Sequence, residues 1–252
     1  MIKKLLGIVV LGLLLSVNSY AANYLFSNNL YTNCIILAKS DPTSFESLVF
    51  KKKTTVKAFD RRVNKFKHAK FFRFDASFKN ANKIKIHVNT EFESENEAEK
   101  QALKYGKIVG QLPNFLRKKI KTLTIHKGNK PWGGGNRDIL IHIGDTAAEG
   151  ICVEEVMMHE SGHTSLDRSW GGSVSPSEWR KAAKADVKFI SKYAKQQPGR
   201  EDVAETINWW IAVRCKPNRI SKLRYKKILE FIPNRLRYLD EQNYDTYPLV
   251  CK

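Results

Sequence analysis

The chain has no Cys-x-x-Cys pair, and only four of its 252 residues are cysteines. Such pairs commonly supply the thiolates of zinc sites, so their absence argues against a metal ion held by cysteine. All four cysteines lie in residues 22–252. If this part of the chain is exported, an even number of cysteines suggests two disulfides. Of the three connectivities that four cysteines allow, we favour Cys215–Cys251 and Cys34–Cys152.

Long apolar runs are equally scarce. The one such run, Leu5–Leu15, follows Lys3 and Lys4 and precedes a polar stretch that ends at Ala21. This order is typical of a secretory signal peptide cleaved after Ala21, with an uncleaved anchor as the alternative. The run is short for a membrane span, and no later stretch is long and apolar enough to cross a membrane. We therefore expect residues 22–252 to be periplasmic or secreted.

Acidic residues are too few to balance the basic ones. The chain has 25 acidic and 44 basic residues, and the net charge of +19 falls to +17 when the two lysines of residues 1–21 are removed. Such an excess favours an anionic partner, for example nucleic acid, an acidic glycan, a lipid headgroup or an acidic protein. A lysine-rich solvated surface is the alternative.

The shortage of acids is greatest over residues 51–79, where basic and phenylalanine side chains are interleaved around Asp60 and Asp75. This composition suits an anionic surface or polyanion, because cations contact phosphates and aromatic rings stack on bases. The alternation in Lys70–Phe74, however, favours a strand with one buried face. Residues 22–80 are therefore either part of a sheet or a propeptide, followed by a catalytic domain over residues 81–252.

One stretch has the residues for metal chemistry: His159-Glu160-Ser161-Gly162-His163. On an α-helix, positions i and i+4 lie on the same face, so the two histidines can bind one metal ion. Glu160 can then reach a water molecule at that ion. Zinc catalysis needs this combination of neutral nitrogen ligands, an open coordination position and a base. A surface helix with two unrelated histidines is the alternative.

Periodicity around this motif predicts an α+β protein, with a small mixed sheet, a backing helix, an active-site helix and a mostly helical C-terminal lobe. The predicted strands are 84–88, 123–126 and 138–143, and the predicted helices are 95–109, 152–166, 176–196, 201–214 and 219–231. We interpret residues 130–136 as a turn-rich loop, and His87, His126 and His142 as sheet residues. Gly162 inside a helix costs about 1 kcal/mol relative to alanine, so we expect another backbone to approach closely there.

A third metal ligand is needed, and three acids at the start of the 201–214 helix are available. Glu201 and Glu205 lie on one face, so one can bind the metal while the other hydrogen-bonds a histidine. An acidic cluster that stabilises the helix N-terminus is the alternative, and Asp202 is a further candidate ligand. Asp167, four residues after His163, is interpreted as structural or as a carboxylate that orients a histidine.

The His-Glu-x-x-His motif followed by Glu-Asp-Val-Ala-Glu (201–205) resembles the gluzincin metallopeptidases, and 201–205 is most similar to their anthrax-lethal-factor-like branch. The resemblance covers about residues 138–214. It implies a zincin-like fold, zinc as cofactor, Glu201 as the third ligand and Glu205 as the acid behind a histidine. Asp167 matches an aspartate that follows the motif in thermolysin-like members. It also implies that strand 138–143 is the edge strand that pairs with a peptide.

A metzincin would instead need glycine at 166 and histidine at 169, where this chain has Leu166 and Ser169. Our leading hypothesis is thus an exported zinc metallopeptidase that acts on a peptide or protein substrate, with Glu160 as general base and Tyr193 or Arg200 stabilising the oxyanion. The alternatives are a secreted basic binding protein without catalysis, and a zinc amidase acting on cell-wall peptides.

Overall fold

The computed structural model describes residues 23–27, 36–81, 83–149 and 152–251. The strands are β1 (Tyr24–Phe26), β2 (Phe45–Asp60), β3 (Lys65–Phe78), β4 (Ile84–Asn89), β5 (Thr122–His126), β6 (Gly133–Gly135), β7 (Asp138–His142) and β8 (Phe189–Ser191). The helices are α1 (Glu95–Gln111), α2 (Asn114–Arg117), α3 (Thr146–Glu149), α4 (Val153–Ser165), α5 (Pro176–Asp186), α6 (Lys192–Gln196), α7 (Asp202–Cys215), α8 (Lys222–Phe231) and α9 (Pro233–Asp240). The predicted α+β class is confirmed.

The main sheet is mixed and has the strand order β2-β3-β4-β5-β7-β6. Strands β4, β5 and β7 run parallel, whereas β2, β3 and β6 are antiparallel to their neighbours. The predicted strand at Lys70–Phe74 is confirmed, because it lies inside β3. Residues 45–78 therefore supply two strands of the same sheet as β7, the last strand before the metal-binding motif in the chain.

One face of the sheet is apolar and packs on α1. Alternate side chains of the central strands, such as Ile86, Ile125 and Ile141, are fully buried in the core. The predicted helix 95–109 is confirmed as α1, and the hydroxyl of its cap Ser94 accepts the backbone N–H of Glu97 at 3.1 Å. Sheet and backing helix together form the N-terminal half of the core.

The opposite face of the sheet is polar, and the outer part of the β2–β3 hairpin covers it. Arg61 near the hairpin turn donates to the carbonyl of Trp132 at 2.8 Å, although β2 and β6 are at opposite edges of the sheet. Beside it, Arg62 pairs with Glu91 at 2.7 Å. The hairpin must therefore cross the sheet. Three histidines lie in strands of this sheet, as predicted: His87, His126 and His142.

A buried ion pair organises the C-terminal helices. The Arg235 guanidinium on α9 is completely buried and contacts Asp186 of α5 at 3.0 Å and Asp202 of α7 at 2.9 Å. The indole N–H of Trp179 donates to the same Asp202 carboxylate at 2.9 Å. Since Asp202 is the first residue of α7, these contacts fix the start of the helix that follows Glu201.

The predicted disulfide Cys215–Cys251 is confirmed and connects the end of α7 to the C-terminal segment. The predicted Cys34–Cys152 pair involves Cys34, which lies outside the described residues. The predicted signal peptide, residues 1–21, lies outside them as well. In the described part of the chain, no helix has the length and apolarity needed to cross a membrane.

Two helix predictions were wrong in part. The predicted helix 176–196 is interrupted after Asp186, because Val187 adopts a left-handed conformation with φ of 60° and Phe189–Ser191 forms β8, parallel to β1. The helix predicted over 219–231 does end before Pro233, but Pro233 itself starts α9. Proline is favoured at the first helical position, because no intrahelical partner exists there for an N–H.

Candidate metal centre

Helix α4 carries the His-Glu-x-x-His motif within one residue of its predicted bounds at either end. Glu154 and Glu155 lie in its first turn, where the helix dipole favours negative charge. His159 and His163 lie one turn apart on the same face, and their Nε2 atoms are 3.1 Å from each other. The motif thus presents two imidazole nitrogens toward one point, as the spacing predicts.

Glu201, immediately before α7, supplies a third atom at this point. Its Oε2 lies 3.1 Å from Nε2 of His163 and 3.4 Å from Nε2 of His159. Ligands at 2.0–2.1 Å in a tetrahedral zinc site are separated by about 3.3–3.4 Å, so the triangle has nearly the edge lengths that such a site requires. The three side chains His159, His163 and Glu201 could therefore hold a metal ion.

Gly162 allows the two helices that carry these ligands to approach. A Cβ atom at this position would lie 3.2 Å from Cα of Ala204 on α7 and 3.2 Å from the Ile207 side chain. The expected close backbone approach at Gly162 is confirmed. The glycine inside the motif therefore brings Glu201 within reach of both histidines.

The site has an excess of negative charge that a cation would neutralise. His159 and Glu201 are 4 % and 3 % exposed. Burial alone would lower the pKa of His159, but the carboxylates of Glu201, Glu160 and Glu205 outweigh burial and raise it to about 9. Burial would likewise raise the pKa of Glu201, yet the two histidines hold it far below its usual value. Buried carboxylates that stabilise a positive charge on the His159 imidazole would also stabilise a bound metal cation.

Glu205 lies behind His159. Its Oε1 is 3.7 Å from Nδ1 of His159, which is longer than a hydrogen bond, and Nδ1 has no hydrogen-bond partner among the described residues. Burial, opposed by His159, raises the pKa of Glu205 to about 7. The side chain that the sequence predicts to orient a histidine is thus placed next to one.

The other candidate acids have different contacts. Asp202 is bound by Trp179 and Arg235, so its carboxylate is directed away from the ligand cluster. Asp167 caps the short helix after α4, where its Oδ1 accepts the backbone N–H of Ser169 at 2.8 Å. Neither belongs to the metal-binding group.

Three residues with predicted catalytic roles surround the cluster. Glu160 is 8 % exposed and follows the first histidine on α4. Burial and the Glu201 carboxylate raise the pKa of Tyr193 on α6 to about 12, so the phenol keeps its proton at neutral pH. Arg200 is largely exposed, and its Nε is 4.0 Å from Oε1 of Glu201. The fold therefore brings Tyr193 and Arg200 to the same carboxylate.

The edge strand beside this site is β6, so two sequence predictions were wrong. Strand β7 is not an edge, because Gly133–Gly135 pairs with it from Leu140 to Asp138, and the predicted loop at 130–136 contains this strand. A Cβ atom at Gly134 would lie 1.9 Å from the carbonyl oxygen of Glu160. Glycine is therefore required for the strand to lie against α4, and a run of glycines is the signal that indicates such an approach.

Sequence reasoning missed two residues that hold β6 in place. The backbone N–H of Gly135 donates to the Thr164 hydroxyl on α4 at 2.9 Å. The Trp170 ring covers the strand end, since a Cβ atom at Gly135 would lie 2.8 Å from it. Neither residue belongs to a motif, and only the three-dimensional contact identifies them.

Comparisons of the chain with protein-family models, curated proteins and solved structures give no match. The likeness to the gluzincins therefore depends on the motif residues alone.

Proposed function

We propose that this protein is an exported zinc-dependent metallopeptidase. The supporting observation is the convergence of His159 Nε2, His163 Nε2 and Glu201 Oε2 within 3.1–3.4 Å, with Glu160 adjacent to the first of them. Two neutral nitrogens and one carboxylate form a common ligand set of catalytic zinc, which leaves one position open to water. The order of motif helix and glutamate helix is that of the gluzincins.

Each step beyond metal binding is assigned to a side chain. A bound zinc ion would polarise the scissile carbonyl and lower the pKa of its water from ~15.7 to ~7. Glu160 would accept a proton from the attacking water and deliver it to the leaving amine. Tyr193 donates a hydrogen bond to the oxygen that becomes negative in the transition state, which its high pKa permits. Glu205, whose Oε1 lies 3.7 Å from Nδ1 of His159, would accept a hydrogen bond from that nitrogen and so direct Nε2 to the metal.

Two features are compatible with export, which is part of the proposal. The Cys215–Cys251 disulfide is of the kind that persists in secreted and periplasmic proteins. Residues 1–21 have the order of a signal peptide, namely basic residues, an apolar run and a polar stretch, which also indicates export.

The proposal is tested by a proteome-wide cleavage screen with wild-type protein and the Glu160→Ala variant, both with measured zinc content. We expect new peptide termini with wild type, and a loss of roughly 10²–10⁴-fold in Glu160→Ala at unchanged zinc content. Wild-type cleavage by a zinc-loaded Glu160→Ala protein would refute the assignment. Including cell-wall peptides in the screen distinguishes an amidase, which would cleave these alone.

A second candidate function, polyanion binding without catalysis, is favoured by the surface of the β2–β3 hairpin. The cross-strand pairs Lys57–His68, Thr55–Lys70 and Lys53–Phe72 alternate in register, so their side chains share one face. The lysines of this face are all exposed. We define the lysine face as Lys53, Lys57 and Lys70.

Replacing the three residues of the lysine face by glutamine tests this candidate. If they contact a polyanion, binding to a heparin probe weakens, and the slope of log Kd against log salt falls by up to about 0.9 per lysine. Glutamine at Lys181, Lys222 and Lys227, which are also exposed, is the charge-matched control. Equal weakening in both triple variants would indicate net charge alone rather than a binding face.

A further inference from the structure

Next to the metal centre along the chain is a cavity of about 550 Å³, lined by Arg200 and Asp202, the two neighbours of Glu201, and by none of the three metal ligands. It lies between the segment after α4, helix α5 and the start of α7. Arg200 connects the two places, since it lines the cavity and its Nε is 4.0 Å from Oε1 of Glu201. A substrate held at the metal would therefore lie near a side chain that also lines this cavity. The cavity volume is within the range of ligand pockets, about 300–1,000 Å³.

The cavity has an apolar floor and a cationic rim. Val174 and Trp179 are 3 % and 5 % exposed and contribute apolar surface to the floor. Four basic residues are exposed where they line the cavity, and they are Arg168, Arg180, Lys184 and Arg200. An apolar floor excludes water, which strengthens the attraction of these cations for an anion.

Acidic side chains neutralise little of the positive charge on the rim. Arg168, Arg180 and Lys184 form no ion pair with any acid in the described part of the chain. The cavity lining also has two acidic residues. Asp202 is paired with the buried Arg235 through Oδ2, whereas Asp167 accepts the Ser169 backbone N–H and keeps its charge, so one unpaired carboxylate faces the rim cations. The charge left for a ligand is therefore positive.

We propose that this cavity is a substrate subsite that selects an acidic side chain, glutamate or aspartate, near the bond to be cleaved. Arginine can bind a carboxylate through two parallel hydrogen bonds, and its alkyl stem packs on apolar surface. The methylene groups of the substrate side chain would lie on the Val174–Trp179 floor, with the carboxylate at the rim. This inference deepens the proposed peptidase function. The role of the cavity as a substrate subsite rests on that function, whereas its selectivity for anions does not.

The test uses synthetic peptide libraries in which each position carries glutamate, glutamine or lysine, with the zinc-loaded protein. For wild type, we expect one position at which glutamate is cleaved at least tenfold faster than lysine. Arg180→Gln should raise KM for glutamate peptides roughly tenfold while kcat changes little, since a charge-assisted hydrogen bond of about 1.4 kcal/mol is lost. Arg180→Lys should restore part of the preference, and Arg180→Glu should reverse it toward lysine.

Lys181→Gln is the matched control, because Lys181 is the exposed neighbour of Arg180 on α5 and does not line the cavity. The proposal is overturned if cleavage shows no charge preference at any position, or if Lys181→Gln and Arg180→Gln change KM equally. Fluorescence anisotropy of the same peptides with Glu160→Ala protein separates the subsite from the reaction. Selective binding of glutamate peptides in this assay, together with no cleavage of any peptide by the zinc-loaded wild-type protein, would retain the subsite and refute the peptidase.

Discussion

Tyr193 is the residue to which we assign the hydrogen bond to the reacting carbonyl in the proposed reaction. Burial and the Glu201 carboxylate raise its pKa to about 12, so a neutral phenol faces the metal ligands at physiological pH. A protonated donor next to a metal ligand can stabilise an oxyanion without first losing water. At the residue scale, we therefore assign metal binding to three side chains and the proposed reaction to two, Glu160 and Tyr193.

Tyr193→Phe should lower kcat by roughly 10²-fold while zinc content and KM change little, since an oxyanion donor acts mainly in the transition state. Steady-state kinetics on the best peptide from the cleavage screen measure this effect. Tyr225→Phe on α8 removes a phenol elsewhere and should leave kcat unchanged. A kcat at the wild-type level in Tyr193→Phe would move the oxyanion role to Arg200.

At the scale of elements, the site depends on how closely α4 and α7 pack. The ligands come from the middle of one helix and the residue preceding the other, so a shift between the helices would separate Glu201 from the histidines. The contact of Gly162 with Ala204 permits the observed spacing.

Gly162→Val should weaken zinc binding by at least tenfold and lower the free energy of unfolding by about 1–3 kcal/mol, because two new methyl groups have no space at the helix contact. Calorimetric zinc titration and urea unfolding measure the two effects. Gly199→Ala is the control, since a Cβ atom there has no neighbour within 4 Å. Unchanged zinc affinity in Gly162→Val would show that helix spacing does not determine the site.

The sequence predicted those elements whose signals are local. The His-Glu-x-x-His helix, the helix that follows Glu201 and the strands of the core have periodicities that neighbours in sequence determine. The break at Val187 depends on pairing of β8 with Tyr24–Phe26, more than 160 residues earlier in the chain, and no local pattern contains that information. For the same reason, the sequence predicts a loop at the glycines of β6. Their role in a strand becomes clear only from the close contact between Gly134 and Glu160.

At the scale of the whole molecule, ion pairs connect distant segments. Asp41 pairs with Lys216 at 2.9 Å and with Arg219, which attaches the segment before β2 to the end of α7. Burial alone would raise the pKa of Asp41, but Arg219 and Lys216 outweigh it and lower the pKa to about 2. On the hairpin side, burial of Glu91 is likewise outweighed by His126 and Arg62, and its pKa falls to about 2.

These lowered pKa values predict acid sensitivity. A carboxyl group whose pKa is lower in the folded state contributes stability above its unfolded pKa, near 4, and loses it as the pH falls to about 2. We therefore expect the free energy of unfolding to fall between these two pH values. Asp41→Asn should lower stability at pH 7 by about 2 kcal/mol and flatten this pH dependence, as chemical unfolding across the pH range would measure. An unaltered pH dependence in Asp41→Asn would contradict the role of this ion pair.

The central claim is that His159, His163 and Glu201 bind one zinc ion, and metal stoichiometry of the purified protein tests it most directly. We predict about one zinc per chain in wild type and in Glu160→Ala, and less than about a tenth of that in His159→Ala, because a catalytic site has only three protein ligands to hold the ion. Loss of zinc in Glu201→Ala, with retention in Asp202→Asn, would identify the third ligand. Full zinc content in His159→Ala, or no zinc in wild type after metal loading, would contradict the account.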